Sequence, residues 1–125
     1  MADIPVLACT AGKLVGRVFQ VPDDRGLRIG RAEDNDVVIV DEGVSRFHAE
    51  LIYQNGSLWL QDAGSRNGVF VNAVRVVAHQ ALKVGDEVVI ADHRFAIRWK
   101  DAVESPAPAE AEKRVGSRKW FWPFG

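Results

Sequence analysis

The chain has 125 residues, 47% of them hydrophobic and 26% charged, with a formal net charge of -1. That length holds one domain with a real core plus a tail, and the near-zero charge argues against a broad basic face for nucleic acid or acidic lipid. A single cysteine, Cys9, excludes an internal disulfide or a thiolate metal cluster.

The first residues, Met1-Ala2-Asp3-Ile4-Pro5, show no basic region followed by a long apolar stretch. No apolar run approaches the ~20 residues that cross a bilayer. The expectation is a cytoplasmic protein.

From about Val6 to Lys100 the chain reads as almost all strand. Asp23-Asp24-Arg25-Gly26 marks an early turn, and Gln54-Asn55-Gly56-Ser57 between two alternating runs marks a tight hairpin. Leu58 and Leu60 share one face of the next run. Asn67-Gly68 and Gly85-Asp86 are further turns, and Val88 and Ile90 point inward. In the last run Phe95, Ile97 and Trp99 share one face while Arg94, Arg98 and Lys100 share the other. About ten or eleven short strands with brief loops predict an all-β, two-sheet β-sandwich. After Trp99 the composition changes. Residues 101–112 are rich in Ala, Glu and Pro and read as a linker. Residues 113–125 read as a tail, with Lys113, Arg114, Arg118 and Lys119 ahead of Trp120-Phe121-Trp122-Pro123-Phe124-Gly125.

Three polar clusters interrupt the strands: Gly30-Arg31, Ser45-Arg46-Phe47-His48 and Ser65-Arg66-Asn67-Gly68. They supply three guanidinium groups, hydroxyls and an amide at strand ends, where loops gather. A phosphomonoester carries about -1.5 to -2 charges and three acceptor oxygens. Arginine matches it with a planar fork that stays charged. Serine hydroxyls and turn amides add donors.

In that order and spacing the clusters resemble the forkhead-associated (FHA) domain. Leu27-Arg28-Ile29-Gly30-Arg31, the stretch Ala32–Ile39, Val69-Phe70-Val71-Asn72 and Leu82–Ile90 resemble the same family, over about residues 6–100. The resemblance implies a sandwich of eleven strands that binds phosphothreonine peptides through loops at one end, with a small pocket for the threonine methyl. It implies that Arg31 and Ser45 contact the phosphate, that Arg46 adds charge, and that Asn67 grips the peptide backbone. Arg66 falls where many such domains carry a small hydroxyl residue, so a surface role stands beside a phosphate contact there. Gly30, His48, Ser65 and Gly68 would support the site. The implied partner is a phosphothreonine-containing protein, such as a Ser/Thr kinase or its substrate.

The residues do not favour catalysis. Gly43-Val44-Ser45-Arg46-Phe47 lacks the second glycine of a nucleophile elbow. Gly12-Lys13-Leu14 lacks the frame of a P-loop, and the acidic residues at 34, 36, 41 and 42 miss the calcium-loop spacing. Three scattered histidines and one cysteine make no zinc site, and His79 and His93 read as ordinary surface or strand residues. No cofactor, metal or nucleic acid is implied. A rival reading is a phosphate-independent interaction module. The segment Lys113–Gly125 suits a docking motif for a second protein or an interfacial contact with a membrane surface, which would place the protein at the membrane periphery.

Overall fold

The computed structural model describes residues 4–100. The linker and tail expected at 101–112 and 113–125 lie outside the described residues, as do residues 1–3. Eleven strands are formed: β1 (Pro5–Ala11), β2 (Val18–Gln20), β3 (Leu27–Gly30), β4 (Val37–Val38), β5 (Ala49–Gln54), β6 (Ser57–Asp62), β7 (Val69–Val71), β8 (Val74–Arg75), β9 (His79–Leu82), β10 (Glu87–Ile90) and β11 (His93–Trp99). Six strands make one sheet in the order β2-β1-β11-β10-β7-β8, and five make the other in the order β4-β3-β5-β6-β9. The chain is the β-sandwich that the alternating pattern predicts.

Alternation places the core. In β6, Leu58 and Leu60 are buried while Trp59 and Gln61 are exposed. Val88 and Ile90 of β10 meet Phe95 and Ile97 of β11 and Ile29, Leu51 and Leu60 of the opposite sheet in one cluster. Each large aliphatic side chain buried in this way contributes about 1.5–3 kcal/mol. Asn55 and Gly56 take φ of 53° and 78°, and Gln54 pairs with Ser57. This is the two-residue hairpin expected there, with both central residues at positive φ.

Two details of β11 differ from the sequence reading. Trp99 shares the parity of Phe95 and Ile97 but is 37% exposed, because it pairs with Pro5 at the end of the sheet. The inward row instead extends the other way, to His93, which is fully buried. His93 is therefore the strand residue that one half of the expectation allows, and not a surface one. His79, by contrast, is exposed on edge strand β9, with its ring edge-on to Trp59 at 5.6 Å.

The β3–β4, β4–β5 and β6–β7 connections pack against one another, and their backbones are joined across the loops. The Arg31 amide donates to the Ser45 carbonyl at 2.9 Å, the Ala32 amide to the Arg46 carbonyl at 3.1 Å, and the Ala63 amide to the His48 carbonyl at 3.0 Å. The three polar clusters, whose Arg31, Ser45 and Arg66 stand 14 and 21 residues apart in the sequence, are thereby brought to one end of the sandwich.

Candidate functional site

The site is built from glycine outward. Gly30 ends β3, where the 46 carbonyl crosses above it. A Cβ at position 30 would overlap the Arg46 carbonyl oxygen and sit 2.9 Å from its carbon. No larger residue fits, and the close approach lets the Arg31 loop lie directly on the Ser45 loop. Asn35 locks that approach: its Nδ2 donates to the Arg46 carbonyl at 2.8 Å and to the Ala32 carbonyl at 2.9 Å.

Arg31 is exposed but not loose. Its Nε donates to the Val44 carbonyl at 3.0 Å, which leaves the terminal nitrogens of the guanidinium for a ligand. Ser45 is half-buried. Its amide donates to His48 Nδ1 at 2.9 Å, and its hydroxyl oxygen accepts the Arg66 amide at 3.0 Å. The hydroxyl proton is then directed elsewhere. His48 is fully buried, and its Nε2 bonds the Gly68 carbonyl at 2.8 Å. An amide can only donate, so Nδ1 is the acceptor and Nε2 carries the proton. Burial pushes the His48 pKa below its ordinary value, against the opposing effects of the Gly68 bond and of Asp62. Ser45 and His48 are thus joined through backbone amide and ring, not as nucleophile and base.

The second half of the site is the turn after β6. Asp62 Oδ1 accepts the Gly64 amide at 2.9 Å and the Ser65 amide at 2.8 Å, and Oδ2 accepts the Ser65 hydroxyl at 3.1 Å. The Ser65 oxygen in turn accepts the Gly68 amide at 3.0 Å. Gly68 has φ of 88°, the left-handed region that glycine tolerates best. Asn67 sits exposed on this turn, with Nδ2 donating to the Gly43 carbonyl at 2.9 Å. Arg46 and Arg66 are exposed on the two neighbouring loops.

The structure therefore brings Arg31, Ser45, Arg46, Arg66 and Asn67 onto adjoining loops, with Gly30, His48, Ser65 and Gly68 beneath or between them. Four participants were not anticipated from sequence. Asp62 carries a legible signal, since Asp followed by Ala-Gly-Ser is an Asx-turn pattern. Asn35 had none, nor had Asp41, whose Oδ1 accepts the amide of Gly43 at 2.9 Å behind the Asn67 contact. Arg75 of β8 comes to the site only through folding, its guanidinium lying over Gly68, where an added Cβ would be 2.8 Å from Nε. Among the described residues, Arg31, Arg46, Arg66 and Arg75 have no carboxylate partner, as is also true of Arg17, Arg28 and Arg98, while Arg25 pairs with Asp36 and Arg94 with Glu87. A cationic rim thus stands on a chain of net charge -1.

The family model described as FHA domain matches residues 27–91, which hold every one of these site residues. The chain belongs to the FHA-domain family. This FHA domain is 38% identical over 71 residues to the transcriptional regulatory protein EmbR of Mycobacterium tuberculosis, a match covering 57% of the chain and 18% of EmbR. It is 47% identical over 85 residues to an ABC transporter ATP-binding/permease protein of the same organism, covering 63% of the chain and 10% of the transporter. The chain thus spans only a small part of these relatives. Among solved structures, Mycobacterium tuberculosis EmbR in complex with a low affinity phosphopeptide superposes with a TM-score of 0.71 at 32% identity, covering 78% of this chain and 25% of that one. A structure from a study of phosphothreonine-dependent FHA domain interactions superposes with a TM-score of 0.69 at 29% identity, covering 76% and 95%.

Proposed function

We propose that this FHA domain binds phosphothreonine peptides and serves as an adaptor in Ser/Thr-kinase-dependent signalling. One observation carries the reading: Arg31, Arg46 and Arg66, without carboxylate partners among the described residues, stand on the adjoining loops that carry Ser45 and Asn67, with the Arg75 guanidinium against Gly68, and those loops are pinned by buried or half-buried groups. Arg31, braced by the Val44 carbonyl, needs little reordering when a dianion arrives. Arg31 takes the phosphate with its terminal nitrogens and Ser45 with its hydroxyl proton. Arg46 and Arg66 add charge at the rim, and Asn67 holds the peptide backbone. Gly30, His48, Ser65 and Gly68 keep the loops in register.

Charge-assisted bonds contribute about 1.5–3 kcal/mol each. Three or four of them, less desolvation and ordering costs, leave about 8 kcal/mol, which corresponds to micromolar affinity. The arrangement supports a binding role. The relatives' likeness supports the reading, since EmbR has been solved with a phosphopeptide. The domain is taken as residues 1–100, and the working compartment is the cytoplasm. No helix among the described residues is long and apolar enough to cross a membrane.

The test is calorimetric titration with a degenerate phosphothreonine peptide pool beside its phosphoserine and unphosphorylated counterparts. Micromolar binding of the phosphothreonine pool alone is expected. Equal binding of all three would replace the reading with a phosphate-independent interaction module, and absence of binding would reject it.

A further inference from the structure

Asn67 is tied to the rest of the site by one side-chain bond, from Nδ2 to the Gly43 carbonyl at 2.9 Å. Gly43 is held from behind. Its amide donates to Asp41 Oδ1 at 2.9 Å, and the other Asp41 oxygen accepts from His93 Nε2 at 2.8 Å. The remaining ring nitrogen, Nδ1, accepts the Lys13 amide at 3.2 Å. That amide can only donate, so Nδ1 holds the lone pair and the ring proton points from Nε2 at Asp41. Gly12 lies against the ring: a Cβ there would overlap Nδ1 and come within 3.0 Å of Cγ. Lys13, His93, Asp41, Gly43 and Asn67, distant in the chain, form one hydrogen-bonded line.

His93 occupies an inward position, in the row that continues through Phe95 and Ile97, and its side chain is only 2% exposed. A leucine would fill such a place without the cost of burying two polar atoms. An imidazole there is tolerated because both nitrogens are bonded, and its directional bonds constrain Asp41 as an aliphatic side chain would not.

We infer that His93 is a positioning residue for peptide binding: through Asp41 and Gly43 it sets the side chain of Asn67 toward the ligand backbone. The inference rests on the proposed role of Asn67. The phosphate half of the site is held by other bonds, Arg31 to the Val44 carbonyl and Ser45 to His48. The halves meet through the Arg66 amide on the Ser45 hydroxyl, through His48, and through the Val44 amide on the Asp41 backbone carbonyl at 3.0 Å. None of these bonds uses the side chain of Asp41 or His93, so substitutions there separate the two halves by experiment.

The test compares wild type, His93→Leu, His93→Gln and Asp41→Asn for binding of a phosphothreonine peptide by calorimetry and of free phosphothreonine by NMR titration. Asp41 lies at the surface of a loop, so Asp41→Asn guards against a folding defect in His93→Leu. Losing one directional hydrogen bond corresponds to about a three- to ten-fold loss of affinity. That loss is expected for the peptide in His93→Leu and Asp41→Asn, with free phosphothreonine bound as by wild type. His93→Gln keeps an N–H donor near the Nε2 position and is expected to restore peptide binding. Wild-type peptide affinity in both His93→Leu and Asp41→Asn would overturn the inference, as would equal losses for the two ligands or a glutamine variant as weak as the leucine one. Failure of the wild type to bind the peptide at all would overturn the phosphothreonine reading itself, and with it this inference.

Discussion

The Ser45 amide donates to His48 Nδ1 at 2.9 Å, and that single bond assigns the proton of a fully buried imidazole to Nε2, where it meets the Gly68 carbonyl. One ring thereby joins the loop that carries Ser45 to the turn that carries Asn67. Protonating it would set an N–H against the Ser45 N–H and charge a buried group.

Stability should follow from this. Burial holds the folded His48 pKa below its ordinary value, so the unfolded chain takes up the proton first as pH falls. The contribution of His48 is fully present above the unfolded value of about 6.5 and is lost progressively below it. Denaturation in urea is expected to show decreasing stability from pH 7 to 5. His48→Asn, which retains an acceptor for Ser45 but not the Gly68 bond, should be about 1–2 kcal/mol less stable at pH 7. It should also depend less on pH over that range; parallel pH curves for the two proteins would contradict the assignment.

Arg31 is expected to dominate affinity. Arg31→Ala removes both the phosphate contacts and the brace to the Val44 carbonyl. At about 1.5–3 kcal/mol per charged bond, loss of two bonds predicts a fall of about 100-fold or more. Arg31→Lys keeps the charge without the fork and should lie between. Calorimetry with one phosphothreonine peptide measures all three, and unchanged affinity in the alanine variant would remove Arg31 from the site.

Gly30→Ala tests the close approach of the loops. The new methyl would collide with the Arg46 carbonyl and lie 2.8 Å from Asn35 Nδ2. Because the obstacle is backbone, the cost should be about 2–3 kcal/mol of stability, at the upper part of the range for overpacking. A shift of the urea midpoint reads it; a variant as stable as wild type would mean that the two loops separate freely.

Asp62→Ala removes the acceptor of the Gly64 amide, the Ser65 amide and the Ser65 hydroxyl. The turn that displays Arg66 and Asn67 should loosen, with faster amide exchange at residues 64–68 and several-fold weaker phosphopeptide binding. The core strands β1, β10 and β11 should keep their protection. Unaltered exchange in the turn would show that Asp62 does not organise it.

The alternating runs and the Asn55-Gly56 hairpin were legible because strand period and turn chemistry are local. The row of Phe95 and Ile97 could have been extended to His93 by the same parity, but a histidine is ambiguous until its partners are known. Asp62 was legible as an Asx turn. Asp41 and Arg75 were not: the partner of one is 52 residues away in β11, and the other reaches Gly68 through the β7–β8 hairpin.

Sequence alone thus determined the sandwich, the family and the three polar clusters, since each is encoded by neighbours in the chain. Tertiary structure decided which groups stand behind them. Whether Asn67 is braced by Gly43, Asp41 and His93, or the Ser45 loop by Gly30 and Asn35, depends on hydrogen bonds between segments that only packing brings within 3 Å. The bonds that orient a site are directional and long-range, while the patterns that announce it are local.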